Sequence, residues 1–137
     1  MRREPGFTAM EFVISIFIIL TILAFAAPSI LSMVATYNLH SAARAVATDM
    51  WNARLLAVNE NTSFQINFTS GSYQIVRVSD NSVFKTENLT TDYNVGATTG
   101  SITFNSRGES SSGSVVLTNG HGSKTITVNL LGRASIS

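Results

Sequence analysis

The chain contains no cysteine, so a disulfide framework, a thiolate metal site and a cysteine nucleophile are all excluded. Charged residues are also scarce, at 12% of 137 residues, and the formal net charge is only +1. Because 45% of the residues are apolar, the chain is not of the disordered, highly charged class. The near-neutral total gives no bulk attraction to nucleic acid, and the low charge favours contact with a membrane.

Signatures of catalysis are missing as well. The two histidines, His40 and His121, have no second ligand at metal-binding spacing, and no G-x-S-x-G motif is present. We therefore expect no catalytic residue, no metal site and no cofactor, and the protein is not predicted to be an enzyme.

A long apolar segment lies near the N-terminus. No formal charge occurs between Glu11 and Arg44, and a helix over residues 12–36 would be about 38 Å long. That length is enough to cross a hydrocarbon core of roughly 30 Å. Arg2 and Arg3 precede the segment, so the positive-inside rule places the N-terminus in the cytoplasm and the remainder outside.

Helical periodicity continues beyond the apolar segment. Apolar residues recur at steps of three and four and predict a buried face, made up of Leu39, Ala42, Ala43, Val46, Met50, Ala53 and Ala57. We expect polar residues, among them Asp49, to lie mostly on the other faces. Trp51 is predicted to pack in the core against a sheet.

The remaining sequence is rich in Ser, Thr, Asn and Gly, which is typical of strands and turns. Apolar and polar residues alternate at Phe64–Phe68 and again at Ile126, Val128 and Leu130. Turn sequences separate such runs at residues 69–72, 79–82 and 119–122. We predict six or seven short antiparallel strands, with an exposed loop from Gly108 to Ser114.

The N-terminal residues Gly6-Phe7-Thr8-Ala9-Met10-Glu11 resemble the type IV prepilin motif. The resemblance implies that a prepilin peptidase removes residues 1–6 by cutting after Gly6, and that Phe7 becomes an N-methylated N-terminus. It also implies that Glu11 pairs with the N-terminal amine of a neighbouring subunit during filament assembly. Pro28 falls where pilin helices carry a proline, which implies a helix kink there.

The β region is similar to the GspH/FimT family, in the order of its strand motifs and in the closing Leu131-Gly132-Arg133. This resemblance implies an α+β fold in which a long N-terminal helix, transmembrane and then amphipathic, packs on an antiparallel β-sandwich-like domain. The expected divisions are a leader (1–6), a membrane-spanning helix (7–36), an amphipathic helix (37–60) and a periplasmic β domain (61–137).

The same family implies a function. We expect a minor pseudopilin, a structural subunit of a periplasmic filament in type II protein secretion. Its expected location is the bacterial inner membrane, crossed once, with the C-terminal domain in the periplasm. Its expected partners are other pseudopilins or pilins, contacted through the N-terminal helix, together with the prepilin peptidase and membrane lipid.

Two alternatives stay open. The first is a FimT-type minor pilin of type IV pili, in which a G-R-x-R motif binds DNA. The corresponding residues 132–135 lack the second arginine, so the candidate contacts Arg107, Lys124 and Arg133 would give weak, salt-dependent binding at most, and DNA is not an expected partner. The second is a secreted β-rich binding protein, released by cleavage after Ala26 in Ala24-Phe25-Ala26.

Overall fold

The computed structural model describes residues 8–137, apart from the side chains of residues 26–28. The chain divides into two compact units, residues 1–34 and residues 35–137. The long helix α1, Ala9–Asn59, contributes to both. It is long and apolar enough to cross a membrane, and the apolar side chains that are described between residues 10 and 34 are exposed.

The unit of residues 35–137 contains eight strands and a short second helix. The strands are β1 (Phe64–Phe68), β2 (Ser72–Arg77), β3 (Val83–Asn88), β4 (Gly96–Ala97), β5 (Gly100–Phe104), β6 (Gly113–Asn119), β7 (Gly122–Val128) and β8 (Ala134–Ile136), with α2 (Leu89–Tyr93) between β3 and β4. The expected six or seven strands was therefore too few. The two shortest strands, β4 and β8, carry no alternating pattern long enough to predict them.

These strands form two antiparallel four-stranded sheets, in the orders β3-β2-β1-β5 and β4-β6-β7-β8. The predicted turns at residues 69–72, 79–82 and 119–122 connect β1 to β2, β2 to β3 and β6 to β7, as expected. The long helix with antiparallel sheets confirms the predicted pilin-like α+β class.

One core joins the helix to both sheets. The predicted buried face of α1, from Leu39 to Ala57, is buried at every position, together with alternating strand residues such as Phe64, Ile102 and Ile126. Two expectations for the helix were wrong, because Asp49 is buried at 4% exposure and Trp51 is 56% exposed.

The segment from Gly108 to Ser114 is not the uniformly exposed loop that was expected. Gly108 and Ser110 are buried, and the Ser110 hydroxyl donates to the carbonyl of Asn129 at 2.8 Å. Leu130 also departs from the alternation, because β7 ends at Val128 and Leu130 is exposed. Both differences arise where the loop after β5 meets the loop after β7.

Candidate assembly and binding sites

The candidate assembly residue Glu11 lies in the first turn of α1 and is exposed. Its N–H donates to the Thr8 carbonyl at 3.1 Å and to the Thr8 hydroxyl oxygen at 3.2 Å, so Thr8 caps the helix. A carboxylate in the first turn is favoured by the partial positive charge of a helix N-terminus. Gly6 and Phe7, the predicted cleavage and methylation residues, lie outside the described residues.

Beyond Glu11, the helix exposes large apolar side chains along most of its described length to residue 34. Phe17, Phe25 and Leu31 are 70%, 78% and 68% exposed. The helix assignment continues through residue 28, and the kink at Pro28 stays a prediction. Exposed apolar area on this scale needs lipid or neighbouring helices to cover it.

A second site, which we call the junction, forms where the turn of residues 105–108 meets the similar turn of residues 129–132. Asn105 and Asn129 each follow the end of a strand, and each accepts the N–H of the residue two positions later on its side-chain oxygen. Each turn closes on a buried glycine with positive φ, +78° at Gly108 and +72° at Gly132. A Cβ at Gly132 would lie 2.4 Å from the Gly108 carbonyl oxygen, so glycine is required for this close approach.

Arg54 of α1 holds this junction together. Its Nε donates to the Gly108 carbonyl at 2.8 Å, and the side chain also lies against the position of a Cβ on Gly132. Sequence reasoning missed Arg54, because it lies outside the β motifs and helical periodicity gives it no special role. Its only signal was its position three residues after Trp51 on an amphipathic helix.

The junction brings together two of the three predicted DNA contacts. Arg107 precedes Gly108, and Arg133 follows Gly132. Arg107 Nε lies 3.8 Å from the Glu109 carboxylate, which offsets its charge. Lys124 lies apart from these two arginines, on β7. The N–H of Asn129 donates to the Arg133 carbonyl, and Lys124 precedes Asn129 by five residues, or about 17 Å of extended chain.

Beside the junction, α1 and the chain entering β8 enclose a groove of about 440 Å³, which we call the Trp51 groove. Its lining residues are Ala47, Thr48, Trp51, Arg54, Gly132, Arg133 and Ala134. The tryptophan thus lies on an accessible surface instead of in the core.

A buried polar cluster connects α1 to the first sheet. The Tyr73 hydroxyl donates to Asp49 Oδ2 at 2.6 Å, and Lys85 Nζ donates to both carboxylate oxygens at 2.8 and 3.0 Å. Lys85 also pairs with Glu87 at 2.9 Å. Burial, and then the Asp49 hydrogen bond, raises the pKa of Tyr73 well above its ordinary value. Burial opposes protonation of Lys85, but hydrogen bonds to Asp49 and Glu87 outweigh it and raise the pKa of Lys85.

In this cluster every polar group has a partner from α1, β2 or β3. It has the features of a structural connection and none of a catalytic site. Both histidines are exposed, and residues 8–137 contain no group of histidine or acidic side chains able to hold a metal ion.

Comparisons with known proteins fit this architecture. The chain resembles the type IV minor pilin FimU of Pseudomonas aeruginosa PAO1 at a TM-score of 0.61 and 15% identity, over 74% of this chain and 90% of that one. It resembles the minor pseudopilin EpsH from the type 2 secretion system of Vibrio cholerae at a TM-score of 0.59 and 10% identity, over 73% and 96%. At these identities the likenesses establish the fold alone. No curated protein sequence matches the chain.

The family comparison goes further. The family model described as type II transport protein GspH matches residues 42–132, well over half of the chain. The match includes the buried face of α1 from Ala42 onward, the strands β1 to β7 and the junction up to Gly132. The chain therefore belongs to the GspH family and is a minor pseudopilin of the type II secretion system, a structural protein that assembles with other pseudopilins and has no enzymatic role.

Proposed function

We propose that this pseudopilin enters a periplasmic filament through an ion pair between Glu11 and the N-terminal amine of a neighbouring subunit. The precursor is cut after Gly6, and Phe7 becomes the methylated N-terminus. Residues 7–36 anchor the subunit in the bacterial inner membrane, and residues 37–60 continue the helix outward. The β domain of residues 61–137 then lies in the periplasm.

The isolation of Glu11 is the observation that carries this proposal. It is the one formal charge on α1 before Arg44, at the start of an exposed apolar surface. A carboxylate in a membrane helix is costly, up to roughly 2.5 to 3.5 kcal/mol at the helix centre by insertion scales, so it is seldom present without a partner. Cleavage after Gly6 would create a cation about one helical turn from Glu11, and subunits packed side by side could then pair both charges.

Co-purification from membranes tests the proposal. Glu11→Ala should leave the protein in the membrane fraction but reduce its recovery with other pseudopilins at least tenfold, because its partner's amine would lose its counter-charge. Asp92→Ala is the matched control, since Asp92 is an exposed carboxylate on α2. Recovery of Glu11→Ala equal to that of Asp92→Ala would refute the ion pair.

The mass of the mature N-terminus, measured on the same samples, tests the processing step. Loss of residues 1–6 with gain of one methyl group is the expected result. A soluble product beginning at Ala27 would instead support the secreted alternative and contradict the anchor.

A further inference from the structure

The Trp51 groove has features that the core and the assembly helix do not explain. Tryptophan side chains are highly buried on average, but Trp51 is 56% exposed on a helix that buries a different face. Small residues, Ala47 and Gly132 among them, line the groove and leave room beside the indole. The groove lies within the unit of residues 35–137 and shares no residue with the region around Glu11.

Its charge is positive and uncompensated. Arg54 and Arg133 both line the groove, and neither takes part in an ion pair with any carboxylate among residues 8–137. By contrast, Arg77 and Lys85 of the same unit form ion pairs with carboxylates of the protein, Glu60 and Asp49 respectively. A ligand that complements the groove therefore carries negative charge.

One wall of the groove is the free edge of a sheet. Within residues 8–137, β8 is the last strand of its sheet and pairs with β7 alone. The N–H and carbonyl of Ser137 bond to Thr125, and the Arg133 carbonyl accepts from Asn129. Ser135 lies opposite Thr127 in the same register, so the alternate residues Arg133, Ser135 and Ser137 direct their backbone groups toward β7. In an antiparallel pair the intervening residue, Ala134, directs its N–H and carbonyl away from β7. Ala134 lines the groove, so an unpaired backbone donor and acceptor are available there.

We propose that the Trp51 groove binds an extended acidic segment of another polypeptide. The segment adds to the edge of β8 by backbone hydrogen bonds with Ala134, places a carboxylate on Arg133 and Arg54, and packs an apolar side chain on Trp51. Backbone pairing at an edge with side-chain pockets beside it is a recurring mode of peptide recognition.

This chemistry favours an acidic peptide over a nucleic acid. Two groove cations can neutralise only about two phosphates, whereas specific DNA complexes use many more and show steep salt dependence. A nucleic acid also has no peptide backbone that could pair with the amide donor and acceptor of a strand edge. A peptide uses the charge, the edge and the indole together.

Tryptophan fluorescence of the full chain in uncharged detergent micelles tests the proposal. The chain has one tryptophan, so the emission reports the groove alone. The probe is a blocked five-residue peptide of alternating valine and glutamate, and its matched control replaces glutamate with glutamine. The acidic peptide should give a saturable blue shift, with a dissociation constant about tenfold lower than that of the glutamine peptide. Equal affinities, or no shift with either, would overturn the proposal.

A pair of variants locates the charge. Arg133→Gln should weaken binding of the acidic peptide about three- to tenfold, whereas Lys124→Gln, which removes the same charge elsewhere on the sheet, should change it less than twofold. Equal effects would show attraction to net charge and not a site. A peptide methylated on its backbone nitrogens should bind at least fivefold more weakly, and unchanged affinity would exclude pairing with β8.

A short DNA duplex is the remaining probe. A shift of Trp51 emission at lower concentrations of DNA than of peptide would replace the proposal with a nucleic-acid site. Weaker or absent binding of DNA supports the peptide. Because these titrations use the isolated chain, their outcome does not depend on whether Glu11 directs filament assembly.

Discussion

The buried carboxylate of Asp49 is predicted to be a main attachment of α1 to the first sheet, and Asp49→Ala measures its contribution. The substitution leaves the Tyr73 hydroxyl without its acceptor, and Tyr73 is only 1% exposed. An unsatisfied buried hydroxyl costs about 1 to 3 kcal/mol. Lys85 loses one of two carboxylate partners, but its side chain is 38% exposed, so solvent limits that loss to about 1 kcal/mol.

Together these losses predict that Asp49→Ala lowers the free energy of unfolding by about 2 to 4 kcal/mol. Urea denaturation of a fragment of residues 35–137 provides the assay, because this unit contains the whole hydrophobic core, from Leu39 to Val128. With an m value of about 1.5 kcal/mol/M, the midpoint should fall by roughly 2 M. The exposed-carboxylate control, Asp92→Ala, should stay within about 0.5 kcal/mol of the parent.

A double-mutant cycle with Tyr73→Phe separates the hydroxyl from the charge. When both partners are removed, no hydroxyl is left unsatisfied, so the double variant should be about 1 to 2 kcal/mol more stable than the sum of the single changes predicts. The reasoning is refuted if Asp49→Ala costs less than about 1 kcal/mol, or if the two changes are additive within about 0.3 kcal/mol.

Two further predictions use the same fragment. Gly132→Ala should destabilise the fragment by at least about 2 kcal/mol, because alanine is strained at a φ of +72° and its Cβ would meet the Gly108 carbonyl. The control Gly120→Ala, whose Cβ would have nothing within 4 Å, should cost under about 1 kcal/mol. Equal costs for the two variants would contradict the close approach of the two turns. The pKa of Tyr73 is raised in the folded state, so above about pH 10 only the unfolded chain ionises this phenol. The free energy of unfolding should therefore be unaffected by Tyr73 below about pH 10 and should fall above it, by up to about 1.4 kcal/mol per pH unit. Unfolding curves between about pH 9 and pH 11 should show this fall in the parent and a smaller one in Tyr73→Phe, and identical slopes would refute it.

Much of the fold follows from local pattern. The buried face of α1 is correct at every position because a single helical period, maintained over five turns, places those residues on one side. The three turns are correct because each interrupts a strand alternation with residues that favour reversal of the chain. β4 and β8 were missed because two or three residues carry no period, and their pairing depends on longer strands beside them.

Some of the candidate site residues could be predicted from local sequence, and others could not. Glu11 stands out in the sequence because a charge within an apolar helix is anomalous wherever it occurs, and the resemblance to the prepilin motif predicts the roles of Gly6 and Phe7. Nothing local marks Asp49, which resembles other polar residues of the helix until Tyr73 and Lys85 arrive from distant strands to satisfy it. Trp51 was assigned to the core because its apolar area is large, but the packing of its neighbours left it outside.

The sequence by itself determined the membrane-length apolar helix, the charge placed at its start, the β-rich remainder and the resemblance to one family, because each depends on composition or on short fixed spacings. Only the tertiary structure decided that Arg54 meets the Gly108 and Gly132 turns, that Lys124 lies apart from Arg107 and Arg133, and that the edge of β8 borders an exposed tryptophan. These contacts join residues far apart in the chain, and the paired strands and the packing of the helix set their distances.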